Sequence, residues 1–338
     1  MQGWLLRETR GPDGYALGSV PDPEPAPGQV RVRLRASALN HLDLWVAHGL
    51  PAPPAFPHVP GADGAGVVDA LGEGVGTVAV GDEVMVDPST SCGTCAACAR
   101  GDVPFCRAFR IVGEHRWGTH ADAVVVPAVN VVPKPASVSW EDAAAAGLVV
   151  SSAVRMLRRA RLTEGDDALV VGVGGGSATA AFLVARASGA RVFATSTKEP
   201  ARAWAREQGA AAVFDSAGAY DEEIRAATDG GVAVVIDNVG SATFERSLRA
   251  LARGGRLVTN GSTSGRTAEL HLPTLFWRQL EIVGATMNDH AEFAEAVRLL
   301  ADGAVRMPVD EVVPFAAFPD ALAKLEAGDQ LGKIVLGR

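Results

Sequence analysis

The four cysteines of this 338-residue chain lie close together, at Cys92, Cys95, Cys98 and Cys106. Cysteines bunched in one short loop are typical of a metal site rather than of the disulfides of a secreted protein. Zinc takes four thiolates as a closed tetrahedral structural site, which leaves no position for a substrate. Alternatives are an iron–sulfur cluster, although Arg107 stands where ferredoxin runs have proline, and cysteines that merely pack.

A second chemical signal is the glycine-rich run between two apolar stretches, 168–171 and 191–195. An alanine-rich, helix-permissive segment follows the run, so the order is strand, glycine loop, helix, strand. This is the βαβ dinucleotide pattern, in which the backbone and the helix N-terminus approach a pyrophosphate. The alternative is an ordinary glycine-rich turn. The predicted cofactor contacts in the run are Gly172, Gly174, Gly175, Gly176 and Ser177.

The residues that end the second of these strands indicate which dinucleotide binds. NAD sites usually carry Asp or Glu there, whereas this chain has Ser196, Thr197 and Lys198, with Arg202 one helical turn later. Hydroxyls and cations attract a ribose 2′-phosphate, which a carboxylate would repel. The pattern therefore predicts NADPH, with solvated helix-start charges as the alternative.

Two further segments end the fourth and fifth strands of the predicted sheet. They are Asp237–Gly240 and Gly261–Thr263, in which Asn238, Val239, Gly261 and Ser262 are the predicted cofactor contacts. Ligands of a doubly wound sheet lie beyond the carboxyl ends of its strands. We therefore expect both segments to face the nicotinamide ribose and ring.

The elements that must position these residues fall into two predicted domains. Residues 1–130 are rich in short strands and turns, and residues 306–338 become strand-like again. Between them, over 131–305, strands alternate with amphipathic helices, which is typical of an α/β doubly wound sheet. The six predicted strands lie near 168–172, 191–195, 211–214, 232–237, 255–260 and 280–285.

Composition narrows the class of protein. Hydrophobic residues make up 48% of the chain, and the net charge of −8 disfavours a nucleic-acid partner. Residues 168–185 carry no charge, but their glycines favour the strand-to-helix reading over a membrane span. The first ten residues lack the apolar centre of a signal peptide. We therefore expect a soluble cytoplasmic protein with no membrane partner.

Taken together, the β-rich unit, the cysteine loop and the nucleotide unit resemble the medium-chain dehydrogenase/reductase superfamily. Phrases at 38–43, 60–66, 81–84 and 332–333 support a resemblance over essentially the whole chain. It implies a GroES-like catalytic domain, a six-stranded Rossmann domain, a cleft between them, and a homodimer or homotetramer. It also implies that Lys333 reaches a cofactor phosphate, unless it is only an exposed strand-end charge.

The resemblance breaks at the catalytic zinc of the zinc alcohol dehydrogenases. Their three protein ligands are a Cys, the His of a Gly-His-Glu phrase, and a Cys or Asp early in the segment that joins the domains. This chain has Asn40, Ala62 and Leu148 at those places, and these are poor zinc ligands or none. The phrase from Asn40 to Asp43 instead resembles the zinc-free quinone and enone reductases.

Loss of that ion changes the expected chemistry. Alcohol oxidation needs a Lewis acid to lower the pKa of the alcohol, whereas reduction of an activated C=C needs hydrogen-bond donors for the enolate oxygen and a proton source. We predict an NADPH-dependent reductase of a quinone, enone or similar alkene. The predicted catalytic residues are Asn40, His41, Asp43 and Trp45, the last as a pocket wall.

Several alternatives stay open at this stage. The enzyme could be a zinc alcohol or aldehyde dehydrogenase with substitute ligands, or a non-catalytic NADPH sensor. Asp43 and Asp63 could cap backbone turns instead of lining a cleft. Phe276, Trp277 and Met287 could line a pocket, a subunit contact or the core. A different metal site could draw on His41, His58, His115, His120 and Glu114.

Overall fold

The computed structural model describes residues 1–338, which form two compact units. Unit 1 consists of Met1–Ser151 and Asn288–Arg338, and unit 2 of Ser152–Met287. The chain therefore leaves the first unit, builds the second and returns. The contacts place residues 131–151 and 288–305 in unit 1, whereas the sequence pattern grouped both segments with the nucleotide domain.

Strands and helices follow one another along the whole chain. The strands are β1 (Gln2–Leu6), β2 (Tyr15–Ser19), β3 (Gln29–Ala38), β4 (Asp63–Leu71), β5 (Glu83–Val86), β6 (Ser89–Thr90), β7 (Arg110–Ile111), β8 (Ala123–Pro127), β9 (Val131–Pro133), β10 (Asp167–Val171), β11 (Arg191–Ser196), β12 (Ala212–Asp215), β13 (Val232–Asp237), β14 (Leu251–Thr259), β15 (Glu281–Gly284), β16 (Val309–Pro314) and β17 (Lys333–Gly337). The helices are α1 (His41–Ala47), α2 (Ala96–Ala99), α3 (Trp140–Arg159), α4 (Gly176–Ala187), α5 (Glu199–Glu207), α6 (Tyr220–Ala227), α7 (Phe244–Ala250), α8 (Leu272–Trp277), α9 (His290–Ala301) and α10 (Phe318–Ala327).

Unit 1 is built on a seven-stranded sheet in the order β16-β17-β3-β4-β5-β9, with β8 also paired to β3. The alternation of apolar and charged residues in β3 puts Val30, Val32 and Leu34 into the core. The C-terminal strand β17 pairs antiparallel with β3, opposite Ala38 at Val335. The tail therefore completes the N-terminal sheet, as the sequence predicted.

One helix in that tail differs from the strand-like prediction for residues 306–338. Helix α10 has a proline in its first turn and ends at Gly328, whose φ of 71° is left-handed. Its Phe318 and Leu322 are fully buried in a cluster with Trp4. The helix therefore covers a part of the sheet that strands alone would leave exposed.

Unit 2 is a parallel sheet of six strands in the order β12-β11-β10-β13-β14-β15. The number of strands and their approximate positions match the sequence prediction, because each strand is a compact apolar run. The strand β10, which precedes the glycine loop, lies between β11 and β13, where the strand order reverses.

Helix α3 carries the chain out of unit 1 and into unit 2. Ser139 caps its N-terminus, since the Ser139 Oγ accepts a hydrogen bond from the Asp142 N at 3.0 Å. None of the helices combines the length and the apolar character that crossing a membrane requires.

Candidate functional site

The candidate site of unit 1 begins at Asn40, the extended residue between β3 and α1. Its backbone N donates to the Asp43 Oδ2 at 2.8 Å, and the Gly61 N donates to the Asp43 Oδ1 at 3.0 Å. The Asp43 side chain is almost fully buried. Asp43 therefore holds two backbone segments in place, which is the capping role that the sequence left open beside a catalytic one.

The buried ammonium group of Lys333 binds the side-chain oxygen of Asn40. The Lys333 Nζ donates to the Leu39 O at 2.7 Å, the Asn40 Oδ1 at 2.6 Å and the Asp63 Oδ2 at 2.9 Å. These three bonds use every proton of the ammonium. The Lys333 side chain is only 3% exposed, so this is a buried ion pair satisfied by hydrogen bonds.

Two further bonds close the network around Asp63. The Asn40 Nδ2 donates to the Asp63 Oδ2 at 2.9 Å, and the Leu148 N on α3 donates to the Asp63 Oδ1 at 2.6 Å. The side-chain amide of Asn40 is therefore hydrogen-bonded within the protein and is not free to bind a substrate oxygen. The ammonium protons of Lys333 are likewise bonded to oxygens of unit 1, not to a cofactor phosphate.

The residues present here do not fit a catalytic zinc. Ala62 is fully buried and has no donor atom. Leu148 contributes only a backbone N–H, and the Asn40 oxygen is bound to the Lys333 ammonium. The positive charge beside Asp63 thus comes from the Lys333 ammonium, and these residues provide no ligand set for a metal ion.

His41 offers a polar group that the protein leaves available. It is the first residue of α1, and its half-buried ring makes no hydrogen bond within the protein. Burial, and then the charge of Lys333, lower the pKa of His41, so the ring is neutral at pH 7. Trp45 is four residues later on the same face of α1 and is 37% exposed.

The other histidines do not assemble a second metal site. The His58 Nε2 donates to the Gly113 O at 2.9 Å. His120 lies between the Ser37 Oγ at 3.0 Å and the Asp43 Oδ2 at 3.4 Å. The His115 Nδ1 accepts from the Ile111 N at 3.2 Å. Each ring is thus fixed to a different part of unit 1.

The four cysteine thiols do converge. Their Sγ atoms lie within 4.8 Å of one another, with separations of 3.8 Å between Cys92 and Cys98 and 3.5 Å between Cys95 and Cys98. Four sulfurs about 2.3 Å from one zinc ion would be spaced much like this. Backbone N–H groups of Thr94 and Cys95 lower the pKa of Cys92 to about 6, which favours the thiolate that binds metal.

In unit 2, the glycine loop has the conformation that its sequence requires. Gly172 and Gly174 have φ values of 82° and 120°, which L side chains rarely adopt. A Cβ on Gly174 would also lie 3.0 Å from the Ala201 Cβ. Gly175 caps α4 without a side-chain hydrogen bond, so the first N–H groups of the helix remain free for a phosphate.

Residues at the ends of β13 and β14 contact the glycine loop and the start of α4. The Asn238 Nδ2 donates to the Ser177 Oγ at 3.2 Å, and the Asn260 N donates to the Asn238 Oδ1 at 3.0 Å. Gly261 packs beside Asn238, and a Val239 methyl packs against Gly172. Ser262 is exposed next in the chain.

Asp237, the last residue of β13, is buried and accepts from the Val239 N at 2.9 Å and the Ser247 Oγ at 2.6 Å. Asn260, which binds Asn238, was not singled out from the sequence. It is the last residue of the predicted fifth strand, so its position at a strand end was the available signal.

The region predicted to bind a 2′-phosphate contains more acid than the sequence indicated. The Arg202 guanidinium lies 2.8 Å from Glu199 and 3.2 Å from Asp215. Asp215 is at the end of β12, directly opposite Ser196. Lys198 is exposed and makes no ion pair, and Thr197 is exposed beside it, so these two side chains are available to an anion. Ser196, by contrast, is buried, and its Oγ accepts a hydrogen bond from the Lys198 N at 3.3 Å.

Two family models match the chain in turn. One, described as an alcohol dehydrogenase GroES-like domain, covers residues 26–136, and the other, a zinc-binding dehydrogenase, covers residues 176–302. An acryloyl-coenzyme A reductase of Metallosphaera sedula is 31% identical over 96% of both chains. An alcohol dehydrogenase of Geobacillus stearothermophilus is 29% identical over 94% of both.

Solved structures show the same mixture of relatives. A structure described as an NAD-dependent alcohol dehydrogenase is 39% identical, has a TM-score of 0.96, and matches over 100% of both chains. The 2-octenoyl-CoA carboxylase reductase CinF, in complex with NADP and 2-octenoyl-CoA, is 27% identical with a TM-score of 0.93. That match covers 99% of this chain and 87% of CinF.

Proposed function

Because the chain belongs to the medium-chain dehydrogenase/reductase superfamily of oxidoreductases, we propose that it reduces an activated carbon–carbon double bond with NADPH. The observation that carries this proposal is the closed Asn40–Asp63–Lys333 network, which stands where the zinc alcohol dehydrogenases of the superfamily bind their catalytic ion. Relatives named acryloyl- and crotonyl-coenzyme A reductases support an alkene substrate. Among enones, quinones and unsaturated thioesters, these names favour the thioesters.

In this reaction NADPH, when bound, supplies a hydride to the β-carbon of the alkene. The electron pair of the double bond then moves toward the carbonyl oxygen, which becomes an enolate. The neutral His41 ring has no protein partner and can donate an N–H to that oxygen. Trp45, on the same face of α1, supplies an apolar surface beside this ring.

Residues of unit 2 would hold the dinucleotide. The free N–H groups at the start of α4 suit the pyrophosphate, while the exposed Thr197 and Lys198 suit a ribose 2′-phosphate. The CinF complex with NADP supports this choice, and the NAD-dependent neighbour opposes it. We expect a lower KM for NADPH than for NADH, and K198E should raise only the KM for NADPH. Equal KM values in the wild type would contradict NADPH preference.

We also propose one structural zinc ion per chain, held by the thiolates of Cys92, Cys95, Cys98 and Cys106. All four positions of a tetrahedral ion are then occupied by sulfur, so the ion would stabilise the loop and take no part in the reaction.

The exposed apolar side chains of unit 2 support a homo-oligomer. Leu272, Phe276 and Trp277 on α8 are 60%, 66% and 71% exposed, and Ile282 on the edge strand β15 is 39% exposed. Apolar side chains beside an unpaired strand edge favour contact with a second copy of the chain.

A second candidate function is alcohol oxidation with an atypical catalytic zinc, which the relatives named alcohol dehydrogenases favour. The donor set around Asn40 opposes it, since Lys333 holds the available oxygens. A zinc content of two ions per chain, together with chelator-sensitive alcohol oxidation, would establish this candidate instead.

The deciding experiment is an assay of the purified protein with NADPH against enoyl thioesters, enones and quinones, and with NADP⁺ against alcohols. We expect NADPH oxidation with at least one activated alkene and no NADP⁺ reduction with alcohols. H41F should lower kcat by about 10²-fold while leaving the Kd for NADPH unchanged, because one donor to the enolate is lost. Tight NADPH binding without turnover of any alkene would indicate a sensor and overturn the proposal.

A further inference from the structure

A second buried carboxylate of unit 1 plays no part in the mechanism above. Asp87 directly follows β5, and its side chain is 1% exposed. Its oxygens accept hydrogen bonds from the His290 Nδ1 at 2.8 Å, the Asn288 Nδ2 at 2.9 Å and the Ser89 N at 3.0 Å. A carboxylate held by three donors is a fixed group, so it orients the imidazole that it binds.

His290 is the partner that remains partly accessible. It is the first residue of α9, and its side chain is 29% exposed. With the Nδ1 proton donated to Asp87, the remaining ring nitrogen, Nε2, makes no hydrogen bond within the protein. A carboxylate on one nitrogen fixes the ring orientation and leaves the other nitrogen to exchange protons.

The Asp87–His290 dyad is connected to the Asp63 network through α3. The Ser151 Oγ donates to the Asn288 Oδ1 at 3.0 Å, and the Leu148 N, three residues earlier, donates to Asp63 at 2.6 Å. Three residues rise about 4.5 Å along a helix. Asn288, which binds Asp87, and Asp63 therefore contact the same turn of α3.

The charges around the ring favour its protonated form. The hydrogen bond and charge of Asp87, and to a smaller extent Asp289 and Cys98, raise the pKa of His290 against the opposing effect of burial.

We propose that His290, oriented by Asp87, delivers the proton that alkene reduction consumes. This inference rests on the proposed function. After the β-carbon takes the hydride, the enolate electron pair forms a C–H bond at the α-carbon with the proton of the His290 Nε2. The ring becomes neutral, and solvent returns one proton to it. Each turnover then consumes one hydride and one proton, and the alkene becomes saturated.

The test compares H290Q and D87N with a matched control, H48Q. His48 also faces a carboxylate, Glu326 at 3.6 Å, but both side chains are about half exposed, at 47% and 51%. H290Q should lower kcat by about 10²-fold with an unchanged KM for NADPH, because a positioned acid is lost. The wild-type kcat should fall at high pH as the donor loses its proton. That fall should move to lower pH in D87N and disappear in H290Q, while H48Q should match the wild type.

Product stereochemistry provides a readout that a structural role would not change. With an α-methyl enoyl thioester in D₂O, the wild type should deuterate the α-carbon on one face, and H290Q should give both epimers. Thermal unfolding and zinc content identify a misfolded variant, in which case D87N carries the test.

The outcomes separate this inference from the proposed function. An active H290Q with the wild-type pH profile and a single epimer would overturn the role of the dyad alone. A wild-type protein that reduces no activated alkene would overturn the proposed function and, with it, this role.

Discussion

Lys333 carries the buried positive charge of unit 1, and its removal should cost stability. Lys333→Met would leave the Asp63 carboxylate and the Asn40 oxygen buried without their ammonium partner. Breaking a buried ion pair from one side typically costs about 3–5 kcal/mol. We expect a loss of about this size in the free energy of unfolding, measured by urea denaturation.

Two further variants show whether the loss comes from the pair. Lys324 pairs with Asp310 and Glu311 but is 34% exposed, so K324M should cost only about 0–1 kcal/mol. The double variant D63N/K333M removes both charges and should recover part of the loss. Equal costs for K333M and K324M would contradict a buried pair.

His58 should make the protein sensitive to mild acid. Burial lowers the pKa of His58 below its ordinary 6.5, and its Nε2–H donates to the Gly113 O. Below pH 6.5 the unfolded chain therefore binds the proton that the folded chain excludes. Stability is then lost as the pH falls, by up to about 1.4 kcal/mol per pH unit.

H58Q isolates this effect because glutamine keeps an N–H donor and does not titrate. Between pH 6.5 and pH 5, the wild type should lose more free energy of unfolding than H58Q, as measured by urea midpoints at each pH. Other histidines with lowered pKa values, His41 and His115, are present in both proteins and cancel. Parallel losses in the two proteins would show that His58 is not a buried neutral ring.

At the scale of residues, contacts between residues that are close in the sequence were predictable, and contacts between distant residues were not. The cysteine cluster and the glycine loop each lie within one short segment, so spacing alone indicated their neighbours. Lys333 and Asp63 are 270 positions apart, and Arg202 meets Asp215 only because β11 pairs with β12. No local pattern encodes such pairs, so the sequence left Lys333 as a phosphate ligand or an exposed charge.

At the scale of elements, the cysteine loop should depend on its ion. Cys95→Ser removes one of the four converging sulfurs, and a tetrahedral structural site loses much of its affinity without a full ligand set. We expect zinc near one ion per chain in the wild type and near zero in C95S, measured by elemental analysis. C95S should unfold at a lower temperature, while kcat per folded molecule stays near the wild-type value.

The control for this experiment is Ser91→Ala, which changes the same loop and no sulfur. The Ser91 Oγ lies 3.4 Å from the Cys98 Sγ, so S91A should keep its zinc. A colourless protein with zinc excludes an iron–sulfur cluster. Loss of kcat in a folded, zinc-free C95S would contradict a purely structural ion.

The pattern of apolar residues predicted β3 and the parallel strands, but it missed helix α10, which is held in place by tertiary packing. The alternation in β3 and the apolar runs of the parallel strands show in the sequence because one or both faces of each strand are buried. Helix α10 was missed because its buried positions, such as Phe318 and Leu322, lie in a short segment between two strands. What holds that helix is the cluster around Trp4, more than 300 residues away in the chain.

At the scale of the whole chain, the sequence indicated an inserted nucleotide unit but not where it begins and ends. Helices α3 and α9 look like part of an α/β alternation. Their contacts nevertheless place the first part of α3 and all of α9 in unit 1, since Ser151 binds Asn288 and Gly147 packs near Phe293. Composition changes near Pro133, whereas the contacts divide the chain at Ser151.

The edge of the sheet in unit 2 is the basis on which we predict a homo-oligomer. Strand β15 pairs only with β14, so its outer backbone groups are unpaired within the chain. Trp277 and Ile282 expose apolar surface beside that edge. We expect the wild type to sediment at twice or four times the mass of one chain, because covering this surface with a second copy buries apolar area and pairs the strand.

W277E and I282E should shift this protein toward the monomer, since either charge would be desolvated in a contact between copies. The matched control is V129E, because Val129 in unit 1 is also strongly exposed, at 60%, but lies far along the chain from β15. Sedimentation velocity over a range of protein concentrations measures the shift, and circular dichroism checks that each variant is folded. A wild-type monomer would contradict the predicted oligomer. A W277E that stays assembled while V129E dissociates would place the contact between copies on unit 1 instead of beside β15.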